Sequence, residues 1–182
     1  MLSLKYNKTH RKNIKSRKDK KYKNYHDIRC VAVLQPDKSI KGNNVNGTVV
    51  FSQNKKSLTI EYEIYNLHDG EHGFHIHKCG DLTQSCKSAC DHFNPHNNDH
   101  GGLTTHNSHV GDLGNITSKD KIAKGIIRTD KITLHQGKTN IIGRMIIVHE
   151  DRDDLGQGDN DESLKTGNAG SRLACGVIGI KN

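Results

Sequence analysis

Residues 57–66 read SLTIEYEIYN. Leu58, Ile60, Tyr62 and Ile64 alternate with Thr59, Glu61 and Glu63, so an extended backbone puts the apolar side chains on one face and the polar ones on the other. That period of two predicts a half-buried β-strand. Working outward, residues 28–34 (IRCVAVL) and 45–51 (VNGTVVF) predict two strands before it. Residues 72–78 predict another, around the motif GFHIH. Short strands are expected near 112–117, 121–129 and 143–149, and the chain closes on LACGVIGI, 173–180. About eight strands without a convincing amphipathic helix predict an all-β antiparallel sandwich or barrel.

Two polar, Gly-rich stretches, 79–111 and 150–171, interrupt the strands. Loops of that length are uncommon in a compact domain and tend to be functional. Hydrophobic residues make up 31% of the chain and aromatics 4%, with no Trp, which is lean for a helical globule but sufficient for a small β protein. The turns rest on 18 Gly and on Asn and Asp, because the only prolines are Pro36 and Pro95.

The net charge of +8 is localised. Residues 1–27 hold ten Lys and Arg against Asp19 and Asp27, which accounts for the whole excess, and the body 28–182 is neutral. These 27 residues show no clean periodicity and are expected to be a disordered extension, solubilising or weakly binding polyanions such as nucleic acid through salt-sensitive phosphate contacts. No apolar run is long enough to span a bilayer, and the basic N-terminus lacks the apolar stretch of a secretory signal, so a cytoplasmic or intracellular location is expected. Cys30, Cys79, Cys86, Cys90 and Cys175 make an odd number, which leaves at least one thiol unpaired within the chain.

Thirteen histidines stand in the sequence, most of them between His68 and His149. On a strand, His75 and His77 point to one face with Ile76 on the other. His92, His96, His100, His106 and His109 follow in the first long loop, then Asp112, and His149 ends an apolar run. For His10, His26, His68, His106 and His135 the plain reading is a solvated loop residue. The others supply more nitrogen than one tetrahedral zinc site can use, and surplus imidazole suits copper. The spacing therefore predicts one transition metal and suggests two.

From about Ile28 to Ile180 the chain resembles the eukaryotic-type Cu,Zn superoxide dismutases. The segments responsible are GFHIH (73–77), GDLTQSC (80–86), HFNPH (92–96), DHGG (99–102), HVGDLGN (109–115), IIGR (141–144), VHEDRDDLG (148–156) and TGNAGSRLACGVIGI (166–180). The resemblance implies an eight-stranded antiparallel Greek-key barrel with two long functional loops. It implies copper on His75, His77, His92 and His149, and zinc on His92, His100, His109 and Asp112, with His92 bridging. Asp153 matches the carboxylate that links a copper ligand to a zinc ligand. Arg172 matches the arginine that attracts the anionic substrate, superoxide. Asp161, Glu162 and Lys165 stand where the family shapes the electrostatic field around the copper.

Cys86 and Cys175 match the family's intrasubunit disulfide. Cys30, Cys79 and Cys90 are expected to be free thiols, the latter two placed to shuffle with that bond. Gly80, Asp81, Ile142, Gly143, Val177, Gly179 and Ile180 match the family's dimer patch, so a homodimer is expected. No proline flanks Ala174–Cys175, which suggests that a copper chaperone is not required for maturation. A non-catalytic homologue would normally have lost ligands that are all present here. A chaperone carrying such a domain would need a separate metal-delivery motif, and no Cys precedes Cys30.

Overall fold

A computed structural model describes residues 28–54 and 57–182; residues 1–27, with His10, His26 and the basic stretch, lie outside the described residues. The alternation read in 57–66 becomes β3, Leu58–Tyr65, with Leu58, Ile60 and Ile64 buried. Tyr62 lies 5.6 Å from Phe74 across the core. β3 pairs antiparallel with β2 (Asn46–Gln53), which pairs with β1 (Arg29–Pro36). The chain then crosses to β4 (Gly70–His77) and β5 (Asp112–Ser118), and returns as β6 (Ile122–Thr129) beside β3. That return makes the Greek key. β7 (Met145–His149) joins β4, and β8 (Arg172–Val177) bridges β7 to β1, with short β9 (Gly179–Ile180) also on β1. The strand order is β5-β4-β7-β8-β1-β2-β3-β6, and β5 and β6 at its two ends lie side by side, so the sheet nearly closes into a barrel.

The barrel interior is apolar, built around Leu34, Phe51, Ile60, Ile64, Phe74, Ile76, Ile116 and Val148. Alternation divides β7 between two cores. Ile146 and Val148 face the interior, while Met145 and Ile147 pack outside against Cys86, Ala89 and Cys175. This second cluster seats the first long loop on the barrel wall. The loop contains a 3₁₀ turn, Ser85–Ala89, and the second long loop contains one helical turn, α1, Ser163–Thr166. Gly111 lets the first loop cross the wall, because a Cβ there would overlap the Ile76 carbonyl.

Cys86 and Cys175 are joined as expected, and Cys30 is free and buried. The expectation of free thiols at Cys79 and Cys90 is overturned: they form a second disulfide. The cause is backbone pairing beyond the end of β4. His77 bridges His92, Lys78 N–H donates to Asp91 O (2.9 Å) and Cys79 N–H donates to Ala89 O (2.9 Å). This return brings the two Cα atoms to 5.4 Å, within the span a disulfide closes.

Candidate metal centre

β4 carries Phe74 and Ile76 into the core and turns His75 and His77 outward. Those two rings meet His149 from the end of β7 and His92 from the first loop. The outward face is nonetheless covered, and all four histidines are buried. One ligand atom from each of the four lies within 4.8 Å of the others. His92, His100, His109 and Asp112 form a second such group, also buried, and His92 belongs to both.

The donor atoms are arranged for ions. His75 Nδ1 and His92 Nε2 are buried without a hydrogen-bond partner among the described residues, and His100 Nδ1, though close to a carboxylate, is not aligned for a hydrogen bond. An unsatisfied buried nitrogen is costly, and a metal would satisfy it. His100 Nδ1 lies 3.0 Å from Asp112 Oδ1, and His92 Nδ1 lies 2.9 Å from the same oxygen. His109 Nδ1 is 3.3 Å from it. Three imidazole nitrogens around one carboxylate oxygen suit closed tetrahedral zinc. On the other side, His77 Nε2 and His149 Nε2 lie 3.3 Å apart, a contact suited to shared coordination. Nitrogen-only donors there suit copper. The residues fit both ions.

Surrounding groups fix these rings. Asp153 is fully buried and accepts from His75 Nε2 through Oδ2 (2.8 Å) and from His100 Nε2 through Oδ1 (2.8 Å), tying the two groups together. Asn115 holds Asp153 in turn: Asp153 N–H donates to Asn115 Oδ1, and Asn115 Nδ2 to Asp153 O, both at 2.8 Å. Asp112 Oδ2 accepts from the Gly101 and His109 amides at 3.0 and 3.1 Å, which leaves Oδ1 facing the imidazoles. His77 Nδ1 donates to Cys90 O at 2.8 Å.

Burial, followed by the neighbouring rings His92 and His149, holds His77 well below the usual imidazole range; burial, then His75 and His92, does the same for His149. His92 is pushed down to about 3 by burial and by His75, against the pull of Asp112. All three are neutral imidazoles, the state that binds metal. For His100 burial also disfavours the charge, but Asp112 and Asp153 outweigh it and raise the ring to about 9 in the metal-free protein. His100, His109 and His92 hold Asp112 below the ordinary carboxylate range, and His100 and His75 hold Asp153 there, in both cases against the effect of burial.

A cleft of roughly 1200 Å³ opens on this centre, lined by His77, His92, His149, Arg144, Lys165 and Arg172 among others. Arg172 is half-buried at the start of β8 and donates to three carbonyls, Cys86 (2.9 Å), Lys87 (3.1 Å) and Cys90 (2.7 Å). Glu162 also lines the cleft.

A family model, Copper/zinc superoxide dismutase (SODC), matches residues 45–178. The chain belongs to the copper/zinc superoxide dismutase family. It is similar to Superoxide dismutase [Cu-Zn] A of Xenopus laevis, 53% identical over 154 residues that cover 84% of this chain and 98% of the relative. The Superoxide dismutase [Cu-Zn] of Saccharomyces cerevisiae is 47% identical over 159 residues, covering 85% and 99%. Extracellular superoxide dismutase [Cu-Zn] of Brugia pahangi is 50% identical over 154 residues, covering 83% of this chain and 75% of the relative. The activity is the dismutation of superoxide to oxygen and hydrogen peroxide, with copper and zinc as cofactors. No helix among the described residues is long and apolar enough to cross a membrane.

The seven residues named from the sequence as metal ligands converge, with Asp153 between them. His96 is exposed and joins neither group, and His68 and His106 are exposed. Sequence reasoning missed His72, which is fully buried and bonds His149 O through Nδ1 (2.9 Å) and His68 O through Nε2 (2.9 Å). The signal was available: His72 shares strand parity with Phe74 and Ile76, so it falls on the core face. Lys131 was also missed. Its ammonium donates to Thr105 O (2.7 Å), Ser108 Oγ (2.8 Å) and Gly102 O (3.3 Å), clamping the loop between His100 and His109.

Proposed function

We propose that His75, His77, His92 and His149 hold the copper and that His92, His100, His109 and Asp112 hold the zinc, with the His92 ring between them. The observation that supports this most strongly is the membership of His92 in both donor groups, with Nδ1 toward Asp112 and buried Nε2 left without a partner. Copper bound there supplies the one-electron reduction and re-oxidation that dismutation needs, while zinc holds the shape of the site. Arg172, beside His77 and His149 in the cleft, attracts the superoxide anion; focused positive charge of this kind raises on-rates by roughly 10–10³-fold. His92 Nε2, whenever copper does not occupy it, would take up a proton from solvent and pass it to the departing peroxide. Asp153 keeps the His75 and His100 rings oriented by accepting their Nε2 protons. Metal analysis with a superoxide assay, before and after copper addition, tests the reading. Full zinc and copper loading without dismutation would sink it.

The same reading extends to assembly. Ile180 is 74% exposed, Gly143 is exposed, and Gly80, Ile142, Val177 and Gly179 are partly exposed. These residues belong to the patch matching the family's dimer contact, which supports a two-fold homodimer. Light scattering tests it, and a stable monomer at micromolar concentration counts against it. Residues 28–182 form the dismutase domain, and the basic residues 1–27 are an extension with weak, salt-dependent affinity for polyanions. Deleting them removes heparin retention and leaves turnover intact. The absence of proline beside Cys175 supports maturation without a copper chaperone, testable by expression in cells that lack one.

A further inference from the structure

The Cys79–Cys90 disulfide lies at the rim of the copper-side group, and the reaction as described gives it no part. The Cys90 carbonyl is the acceptor for both His77 Nδ1 (2.8 Å) and Arg172 Nη2 (2.7 Å). One backbone oxygen therefore fixes a proposed copper ligand and the proposed anion-attracting guanidinium together. Cys90 stands at φ 65°, ψ −161°. That region belongs almost only to glycine, and another residue stays there only when its surroundings hold it. The disulfide is the covalent part of that hold, beside the hydrogen bond from Cys79 N–H to Ala89 O. If the bond opens, Cys90 is freer to relax toward ordinary backbone angles, and its carbonyl turns away from both partners. Accessibility separates the two disulfides. Cys90 is exposed and Cys79 half-buried, whereas Cys86 and Cys175 are 0% and 2% exposed.

We propose that the Cys79–Cys90 disulfide is a redox-sensitive staple that positions the Cys90 carbonyl, and through it Arg172 and His77, for anion capture. The proposal rests on the roles assigned above to those two residues. Opening needs a dithiol reductant. Two electrons and two protons pass to the protein sulfurs, the S–S bond breaks, and the dithiol closes into its own disulfide. Dismutation itself supplies an oxidant for closing, hydrogen peroxide. One thiolate attacks a peroxide oxygen, the O–O bond breaks, and water leaves with the thiol's proton. The second thiol then attacks the resulting sulfenic acid, and a second water leaves as the S–S bond forms.

The test uses the full, metal-loaded chain treated with limiting dithiothreitol, with thiols located by alkylation and mass spectrometry. Cys79 and Cys90 label before Cys86 and Cys175. With dithiothreitol then removed and the copper returned to copper(II) by air, azide, read from the copper(II) visible band, binds about tenfold more weakly, the scale of one loosened hydrogen bond to a charged group, while metal content is unchanged. Hydrogen peroxide restores the affinity. The Cys79→Ser/Cys90→Ser variant starts weak and ignores dithiothreitol. Cys79→Ser/Cys90→Gly binds azide like the intact protein, because glycine adopts the required angles unaided. Labelling of Cys86 and Cys175 first, or wild-type azide affinity in the double serine variant, overturns the proposal. If Arg172→Ala leaves azide binding unchanged, the anion-attracting role itself fails. Amide exchange across residues 78–91 then decides the staple alone: faster exchange in the double serine variant supports it, and equal exchange overturns it.

Discussion

His149 and Arg172 are cross-strand partners at the end of the β7–β8 ladder, next to an irregularity in register after Val148. A bulge re-aims a side chain. Here His149 Nε2 reaches to 3.3 Å from His77 Nε2, while the Arg172 guanidinium turns to the carbonyls of the disulfide loop. One strand pair thus supplies both a proposed copper ligand and the charge beside it.

His149→Ala removes one nitrogen from the copper-side group and none from the group around Asp112. Dismutation is expected to be abolished with zinc content largely retained, as read by metal analysis alongside the assay. Turnover close to wild type would refute the copper assignment.

Arg172→Glu reverses the charge in the cleft and leaves every proposed ligand in place. The rate at low ionic strength should fall by about tenfold or more, with both metals bound. Its salt dependence should weaken or change sign, because exposed charges are screened over about 10 Å at 0.1 M salt. An unchanged rate at low salt would exclude a steering role.

The barrel was legible because burial enforces parity: Leu58, Ile60 and Ile64 could face the core only as a strand. The proposed ligands were legible because clustered imidazoles are chemically unusual and GFHIH places two on one face. The second disulfide was not, because it depends on residues 89–92 folding back along the end of β4, and loop geometry is not written in periodicity. Lys131 escaped for a related reason: its three acceptors lie more than twenty positions earlier in the chain.

Asp153→Asn leaves one acceptor oxygen and substitutes a donor for the other. One of His75 and His100 then loses its Nε2 acceptor. Loss of such an orienting partner typically weakens metal binding about 10–100-fold. Competition with a chelator should show this loss, with the barrel still folded by circular dichroism. Retention equal to wild type would remove Asp153 from the proposed role.

Lys131→Met removes the clamp on the loop that carries His100 and His109. The side chain is only half-buried, so the cost in stability is set at about 1 kcal/mol, the ordinary size of a net hydrogen-bond contribution. Zinc should leave faster under chelator, while the copper-side residues, on other elements, are affected less. Equal loss of both metals would point to general unfolding instead.

The metal-free protein should be most stable near pH 6.5, with stability falling on both sides. On the acid side the unfolded chain protonates its histidines near the ordinary value of about 6.5. His77 and His149 resist protonation because they are buried, and His92 accepts a proton only near pH 3. Between 6.5 and about 3 the unfolded state therefore holds more protons, and stability drops with pH by up to about 1.4 kcal/mol per unit for each such group. Asp112 and Asp153, both held below the ordinary carboxylate range, act in the same direction once the unfolded carboxylates begin to protonate. On the alkaline side His100 dominates. Its folded value is raised to about 9, so its contribution is fully present below 6.5 and is lost as pH rises through 9. Metal loading should abolish that alkaline loss, because a ring nitrogen given to an ion no longer carries the proton. Urea melts of the metal-free and loaded chain across this range measure both arms. A metal-free profile flat from acid to alkaline pH would show that the buried imidazoles are not held as described.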